Sequence, residues 1–240
     1  MLRVKIDSGD GIKGTGRTCS GERPLRYDAV LYDFDGTLVD TIPMILECYQ
    51  RAFMEVTGHE EDETFLLSQI GLPLASTFVK YDPITQQALL EAYYKHNMIL
   101  LPTHVSVFEG ILEGLKEVRD LGVLQGLVTS KRSETALITM RQFGMEPFFD
   151  ALVFREDTQV HKPNPMPVYL AMEKLSIKDA SRVLFVGDSV HDLRCAANAG
   201  VDSVAVHWTY MPEDELMAEN PTYWIHRLSD LSCILTDAEL

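Results

Sequence analysis

The chain has 240 residues, 46% hydrophobic and 24% charged, enough for one large buried core or a core with an insert. Its 36 acidic residues outnumber 21 basic ones, a net charge of −15 that argues against nucleic acid or an anionic membrane as partner. No apolar run approaches the ~20 residues of a membrane span, no apolar leader opens the chain, and the four cysteines (Cys19, Cys48, Cys195, Cys233) lack zinc spacing, so a cytoplasmic setting is expected.

Residues 1–26 interleave Gly9, Gly11, Gly14, Gly16 and Gly21 with charged and small polar residues, and read as a flexible extension. Gly9-Asp10-Gly11-Ile12-Lys13-Gly14 is a literal GxGxxG after a short alternation of Leu2, Val4 and Ile6. A dinucleotide turn must open a helix, and Thr15 to Gly21 is not helical, so nucleotide binding here is not expected.

The apolar run 29–32 reads as the first core strand and ends at Asp33. A helix is expected over 41–56, with Ile42, Ile45, Leu46, Tyr49 and Phe53 on one face, Thr41 as N-cap and Pro43 in the first turn. From about 60 to 101 the patterns are helical, broken at Gly71-Leu72-Pro73 and restarted at Pro83. Beyond Pro102, helices over 108–121, 133–143, 165–175 and 189–199 alternate with strands over 123–129, 151–154, 183–186 and 203–206. That rhythm predicts an α/β fold: a doubly wound parallel sheet, formed by 27–40 and 102–240, with an inserted helical subdomain at 41–101. In such folds ligands sit at the carboxyl ends of the strands, where Asp33, Thr129 and Asp188 would converge.

Asp33 and Asp35 are two apart at a strand end and point to one side. Paired carboxylates repel unless a cation intervenes, and Asp188 adds a third charge. Clustered hard oxygens suit Mg²⁺, and an aspartate is a competent nucleophile toward phosphorus. Gly36 permits a tight turn and close backbone approach to a substrate. Lys162 is fixed by Pro163 and Pro165 just before a helix. Thr129-Ser130 could cap a helix, with Ser133 competing for that job. Asp188 and Asp192 are four apart and would repel on one helix face, which weakens a purely structural reading. Lys131 and Arg132 follow at a helix N-terminus, where they face either phosphate or solvent. Met44, Met54, Met98 and Met140 read as packing residues, as do Trp208 and Trp224. His104, His207 and His226 read as structural.

Asp33-Phe34-Asp35-Gly36-Thr37, Thr129-Ser130, Lys162-Pro163 and Gly187-Asp188-Ser189-Val190-His191-Asp192 resemble, in order and spacing, the four motifs of the haloacid dehalogenase superfamily. The similarity covers residue 28 to the C-terminus. It implies that Asp33 is the nucleophile and that Asp35 is the acid for the leaving group, then the base for water. It implies Mg²⁺ bound by the Asp33 carboxylate, the Asp35 carbonyl and Asp188. Thr129, the Ser130 amide and Lys162 would hold the phosphoryl oxygens, Lys131 would contact substrate, and Asp192 would support Lys162 or a metal-bound water. The insert would be a C1-type cap.

Dehalogenases of this superfamily lack the second aspartate of the first motif, so Asp35 favours phosphate chemistry. The related sugar-phosphate mutases carry a cap histidine where this chain has Ile45, and the phosphonatases a cap lysine; Lys80 and Lys95 fit a solvated face. Ile70 to Phe78, Tyr94-Lys95-His96-Asn97 and Val206-His207-Trp208-Thr209 resemble segments of the phosphoglycolate phosphatase-like branch and of the superfamily's inorganic pyrophosphatases. Ser130-Lys131, where many phosphoglycolate phosphatases have Asn-Lys, and His161 before Lys162 are departures. The expected substrate is a small phosphorylated metabolite such as phosphoglycolate, or inorganic pyrophosphate. The rival readings are a β-phosphoglucomutase-like phosphomutase and a non-catalytic binding protein on the same fold. No feature chooses between monomer and dimer.

Overall fold

A computed structural model describes residues 25–237. The glycine-rich extension, its GxGxxG and Cys19 lie outside the described residues. The elements are β1 (Ala29–Tyr32), β2 (Val39–Asp40), α1 (Ile42–Thr57), α2 (Glu63–Gln69), α3 (Pro83–Leu100), β3 (Ser106–Val107), α4 (Ile111–Asp120), β4 (Leu124–Val128), α5 (Ser133–Gln142), β5 (Ala151–Val153), α6 (Met166–Lys174), β6 (Val183–Gly187), α7 (Val190–Ala199), β7 (Asp202–Val206), α8 (Glu213–Ala218), β8 (Tyr223–Ile225) and α9 (Leu231–Thr236).

Six strands form one parallel sheet in the order β5-β4-β1-β6-β7-β8. β1 lies at the centre because it is buried on both faces, and its alternation assigns each residue a layer. Val30 and Tyr32 face a cluster with Ile111, Leu115 and Val118 of α4 and Leu231 and Leu235 of α9. Ala29 and Leu31 face the opposite cluster with Val168 and Met172 of α6 and Cys195 and Ala196 of α7. The chain runs outward from β1 through β4 to β5, then returns to β6 on the other side of β1. Where the order reverses, between β1 and β6, the strand ends leave a crevice. The register pairs Tyr32 with Val186 and with Leu127, so the residues just beyond β1, β4 and β6 emerge at one level.

The helical insert has its own apolar cluster. Ile42, Ile45, Cys48, Tyr49 and Phe53 of α1 pack with Leu66 of α2, Phe78, and Leu89 and Tyr93 of α3. It leaves and rejoins the sheet domain through β2 and β3, which pair antiparallel with Val39 opposite Val107.

Several local expectations are corrected. The strand at Ser106–Val107 and the left-handed Gly110 (φ 76°) delay the helix expected from 108 until Ile111. Met44 and Met140 are buried, but Met54 (47% exposed) and Met98 (44%) lie on the outer surface of the insert rather than in packing. Thr41 stands at the N-cap of α1, yet its hydroxyl makes no cap bond; it donates to Asp35 Oδ1 at 2.6 Å. Asp188 is not on a helix at all. α7 is capped by Ser189 and begins at Val190, so the closeness of Asp188 and Asp192 arises from the strand end folding back, not from a shared helix face. β8, α8 and α9 were not expected.

Candidate active site

Asp33 follows β1, Thr129 follows β4 and Asp188 follows β6, so three neighbouring parallel strands deliver them to one edge. Continued pairing holds this level past the strands: the Asp33 amide donates to Val186 O at 2.9 Å, and the Thr129 amide to Val153 O at 3.0 Å. Phe34 O then accepts from the amides of Leu38 and Val39, turning the chain sharply so that Asp35 faces back toward the sheet edge.

Lys162 enters from the loop before α6. That loop is tied down by Asn198, which donates to Pro163 O at 2.9 Å, and by the Cys195 thiol, which donates to Asn164 O. The Lys162 ammonium, 2% exposed, donates to Asp33 Oδ1 and to Asp192 Oδ1, each at 2.6 Å. Asp192 is in turn committed: its Oδ2 accepts from the Ser189 amide at 3.1 Å and the Ser189 hydroxyl at 2.6 Å in a capping box. Asp188 accepts from the Thr37 hydroxyl at 2.8 Å, and the Thr209 hydroxyl donates to its carbonyl.

Two glycines are needed for these approaches. A Cβ on Gly36 would lie 2.2 Å from Asp188 Oδ2, and a Cβ on Gly187 2.3 Å from Asp192 Cβ. Gly36 also has φ 82°, which only glycine adopts at little cost. Gly36 therefore abuts the Asp188 carboxylate through the space its absent side chain leaves.

Carboxylate oxygens of Asp33, Asp188 and Asp192 all lie within 4.8 Å of one another. Burial pushes the Asp33 carboxyl up to about 7, with Lys162 opposing the rise and Asp192 adding to it. Burial, then Asp192 and Asp33, hold Asp188 well above the usual carboxylate range. Burial alone would lower the Lys162 ammonium, but Asp192 and Asp33 outweigh it and raise it. Three carboxylates thus face one ammonium, and full ionisation leaves two negative charges, the charge one divalent cation would balance. Because Asp192 spends both oxygens on Lys162 and Ser189, the donors open to such a cation are those of Asp33 and Asp188.

A cavity of about 90 Å³ lies between insert and sheet domain, small compared with the few hundred Å³ of drug-sized sites. Ile45, Tyr49, Tyr94 and Asn97 line it from the insert; Asp33, Asp35, Thr129, Ser130, Lys131, Arg132 and Arg155 line it from the sheet domain. The insert is held over it by the Ser130 hydroxyl, which donates to Gly71 O at 2.7 Å, and by the Arg132 guanidinium 4.9 Å above the Tyr94 ring. Neither Ser130 nor Ser133 caps α5.

Lys131 turns inward and donates to Asp35 Oδ1 at 2.8 Å, so of its two expected orientations it takes the one into the site. Lys80 and Lys95 lie outside the cavity, paired with Glu61 and Glu55. Trp208 packs against Phe108 and donates to Thr37 O at 2.9 Å, bracing the loop after Asp35. His207 and His226 stack at 4.0 Å, and the His207 ring pairs with Glu213. Sequence reasoning missed Arg155 altogether, and named Thr37, Thr41, Asn97 and Gly187 without giving them a part in the site. Thr37 and Gly187 carried a signal, their places in the first and last motifs; Arg155 carried none.

Residues 30–206 match the family model of the haloacid dehalogenase-like hydrolases. Pyrophosphatase PpaX of Bacillus pumilus is 32% identical over 208 residues, covering 87% of this chain and 96% of that protein. Pyrophosphatase PpaX of Halalkalibacterium halodurans is 31% identical over 207 residues, covering 86% and 96%. A crystal structure of a Bacteroides fragilis protein assigned to the haloacid dehalogenase-like hydrolases superposes with a TM-score of 0.79 at 26% identity, covering 85% of this chain and 99% of that one. A predicted phosphoglycolate phosphatase from Haemophilus somnus shares the fold, with a TM-score of 0.78 at 20% identity over 87% and 98% of the two chains. The motifs, the strand order and these relatives together place the chain in the haloacid dehalogenase-like hydrolase family.

Proposed function

We propose that this chain is a Mg²⁺-dependent phosphohydrolase that passes a phosphoryl group through Asp33, with inorganic pyrophosphate as its preferred substrate and phosphoglycolate as the second. The observation that carries the reading is the buried Asp33–Lys162–Asp192 chain with Asp188 beside it, opening on a cavity too small for a large substrate.

Asp33 attacks phosphorus; the bond to the leaving oxygen breaks, and Asp35 supplies the proton that oxygen takes. Asp35 then removes a proton from water, which attacks the phosphoryl group and returns Asp33 as a carboxylate. Lys162 and Thr129 meet the equatorial oxygens where negative charge is concentrated. Thr41 and Lys131 both bond Asp35 Oδ1, which orients that side chain toward the cavity. The Asp33 and Asp188 carboxylates, with the Asp35 carbonyl, would hold Mg²⁺, and the ion would supply charge neutralisation for the phosphoryl group. The insert excludes water from the site. Ile45, buried and lining the cavity, offers no acid or base, which supports hydrolysis over phosphoryl return to a sugar. The relatives named pyrophosphatase support the first substrate. No helix among the described residues is long and apolar enough to cross a membrane. Cys48, Cys195 and Cys233 are free thiols, which supports a cytoplasmic setting.

The test is phosphate release with Mg²⁺ from pyrophosphate and phosphoglycolate. Pyrophosphate is expected to lead by at least about tenfold in kcat/KM, a margin of about 1.4 kcal/mol. Asp33→Asn is expected to fold and to lose turnover; an Asp33→Asn protein with wild-type turnover would sink the mechanism.

A further inference from the structure

The cations around the cavity are not equivalent. Lys162 is held by Asp33 and Asp192, and Lys131 by Asp35. Arg132 lies 3.6 Å from Glu156 and stacks on Tyr94. Arg155 lines the same cavity, yet no carboxylate of the described residues lies within ion-pair distance of it. Its Nε is buried and meets no hydrogen-bond partner among them.

The backbone accounts for where Arg155 sits. It follows β5 in a short 3-10 turn (Arg155–Asp157), and its amide donates to Lys131 O at 3.1 Å. The carboxylate next to it, Glu156, turns the other way: its Oε2 accepts from the Ser133 amide at 3.1 Å. So the turn fastens itself to the loop after Thr129, and the guanidinium is left at the cavity with no carboxylate partner among the described residues. In a chain of net charge −15, a half-buried guanidinium that no carboxylate of the described residues has taken is an open position for an anion. The planar fork of arginine suits a phosphate or carboxylate, which it can grip with two parallel bonds.

We propose that Arg155, with Arg132 beside it, binds the second anionic group of the substrate, the one that departs with the leaving oxygen. The inference rests on the phosphohydrolase reading and deepens it. The first phosphoryl is held at Asp33, Thr129 and Lys162, and Arg155 selects substrates that carry another phosphate or a carboxylate a short distance away. A phosphomonoester with an uncharged leaving group gains nothing from it.

The experiment measures Mg²⁺-dependent binding of methylenediphosphonate and of methylphosphonate by calorimetry, for the wild type, Arg155→Met and Arg155→Lys. Arg155→Met is expected to weaken methylenediphosphonate by about tenfold to a hundredfold, the loss of one or two charge-assisted bonds, and to leave methylphosphonate within about twofold. Arg155→Lys keeps the charge without the fork and is expected to fall between. In turnover, Arg155→Met is expected to lower kcat/KM for pyrophosphate far more than for p-nitrophenyl phosphate. Equal loss for both phosphonates, loss for neither, or no methylenediphosphonate binding by the wild type overturns the assignment. Failure of the phosphohydrolase reading is separately visible as a wild type that binds methylenediphosphonate but releases phosphate from no substrate.

Discussion

Replacing Gly36 by alanine perturbs one atom at the centre of the site. The new Cβ would stand 2.2 Å from Asp188 Oδ2, where contacts under 3.0 Å essentially never occur, so the carboxylate must retreat by about 0.8 Å. It cannot do so freely, because it is buried and held by the Thr37 hydroxyl. Alanine at φ 82° also costs about 1 kcal/mol. Gly58, at the C-cap of α1 with φ 79°, carries the same backbone cost and has nothing within 4 Å of its Cβ position, which makes it the control. Gly58→Ala is expected to lose about 1 kcal/mol in urea unfolding and no activity. Gly36→Ala is expected to lose that amount plus about 1–3 kcal/mol of overpacking. Because a displacement near 1 Å at reacting groups costs about a hundredfold, its kcat/KM should fall by that order. A Gly36→Ala protein that matches Gly58→Ala in both stability and turnover would refute the argument that this glycine serves Asp188.

Two further outcomes follow from buried polar groups. Gln125 sits in the core of β4, accepting from the Tyr32 hydroxyl at 2.9 Å and donating to Leu115 O and Phe148 O. Gln125→Leu keeps the volume and orphans those groups, so a loss of about 2–5 kcal/mol in urea unfolding is expected. Adding Tyr32→Phe should recover part of it, and a neutral Gln125→Leu would contradict the account. The second outcome concerns pH. The folded state raises Asp33 from 3.8 to about 7, so it binds the proton more tightly than the unfolded chain does. This group's contribution to stability is therefore full below about pH 4 and is lost as pH rises through about 7. Asp188 shifts in the same direction. Mg²⁺ should offset that loss, so its gain in Tm over EDTA-treated protein is expected to be larger at pH 7.5 than at pH 5, where it must displace protons. An equal or reversed gain would count against metal binding at these carboxylates.

The parts of the fold that were legible are those whose signal is local. A short apolar run bounded by turn signals reads as a strand buried on both faces, so β1 and β6 are legible from four residues each, and so is the acid after each. The amphipathic spacing of Ile42, Ile45, Tyr49 and Phe53 fixed the inner face of α1. β2 and β3, two residues each, have no period to detect and exist only because each pairs with the other. β8 is an edge strand whose place depends on β7, and α8 and α9 are single short segments stabilised by the surfaces they cover. The starts of α4 and α7 shifted because Gly110 and Ser189 set the helix boundary, a matter of backbone angle and cap geometry.

For the site, the order of motifs along the chain determined which side chains meet, since parallel strands place their carboxyl ends together whatever lies between. The sequence by itself therefore determined the acidic cluster, the lysine that joins it and the helical insert that covers it. What only the tertiary structure decided is how each charge is spent. Asp192 is consumed by Lys162 and Ser189, Asp35 is held by Thr41 and Lys131, and Arg155 is left without a carboxylate among the described residues. Residue type supplies a charge, but whether that charge is already balanced depends on neighbours distant in the chain, as with Asp33 and Lys162, 129 positions apart.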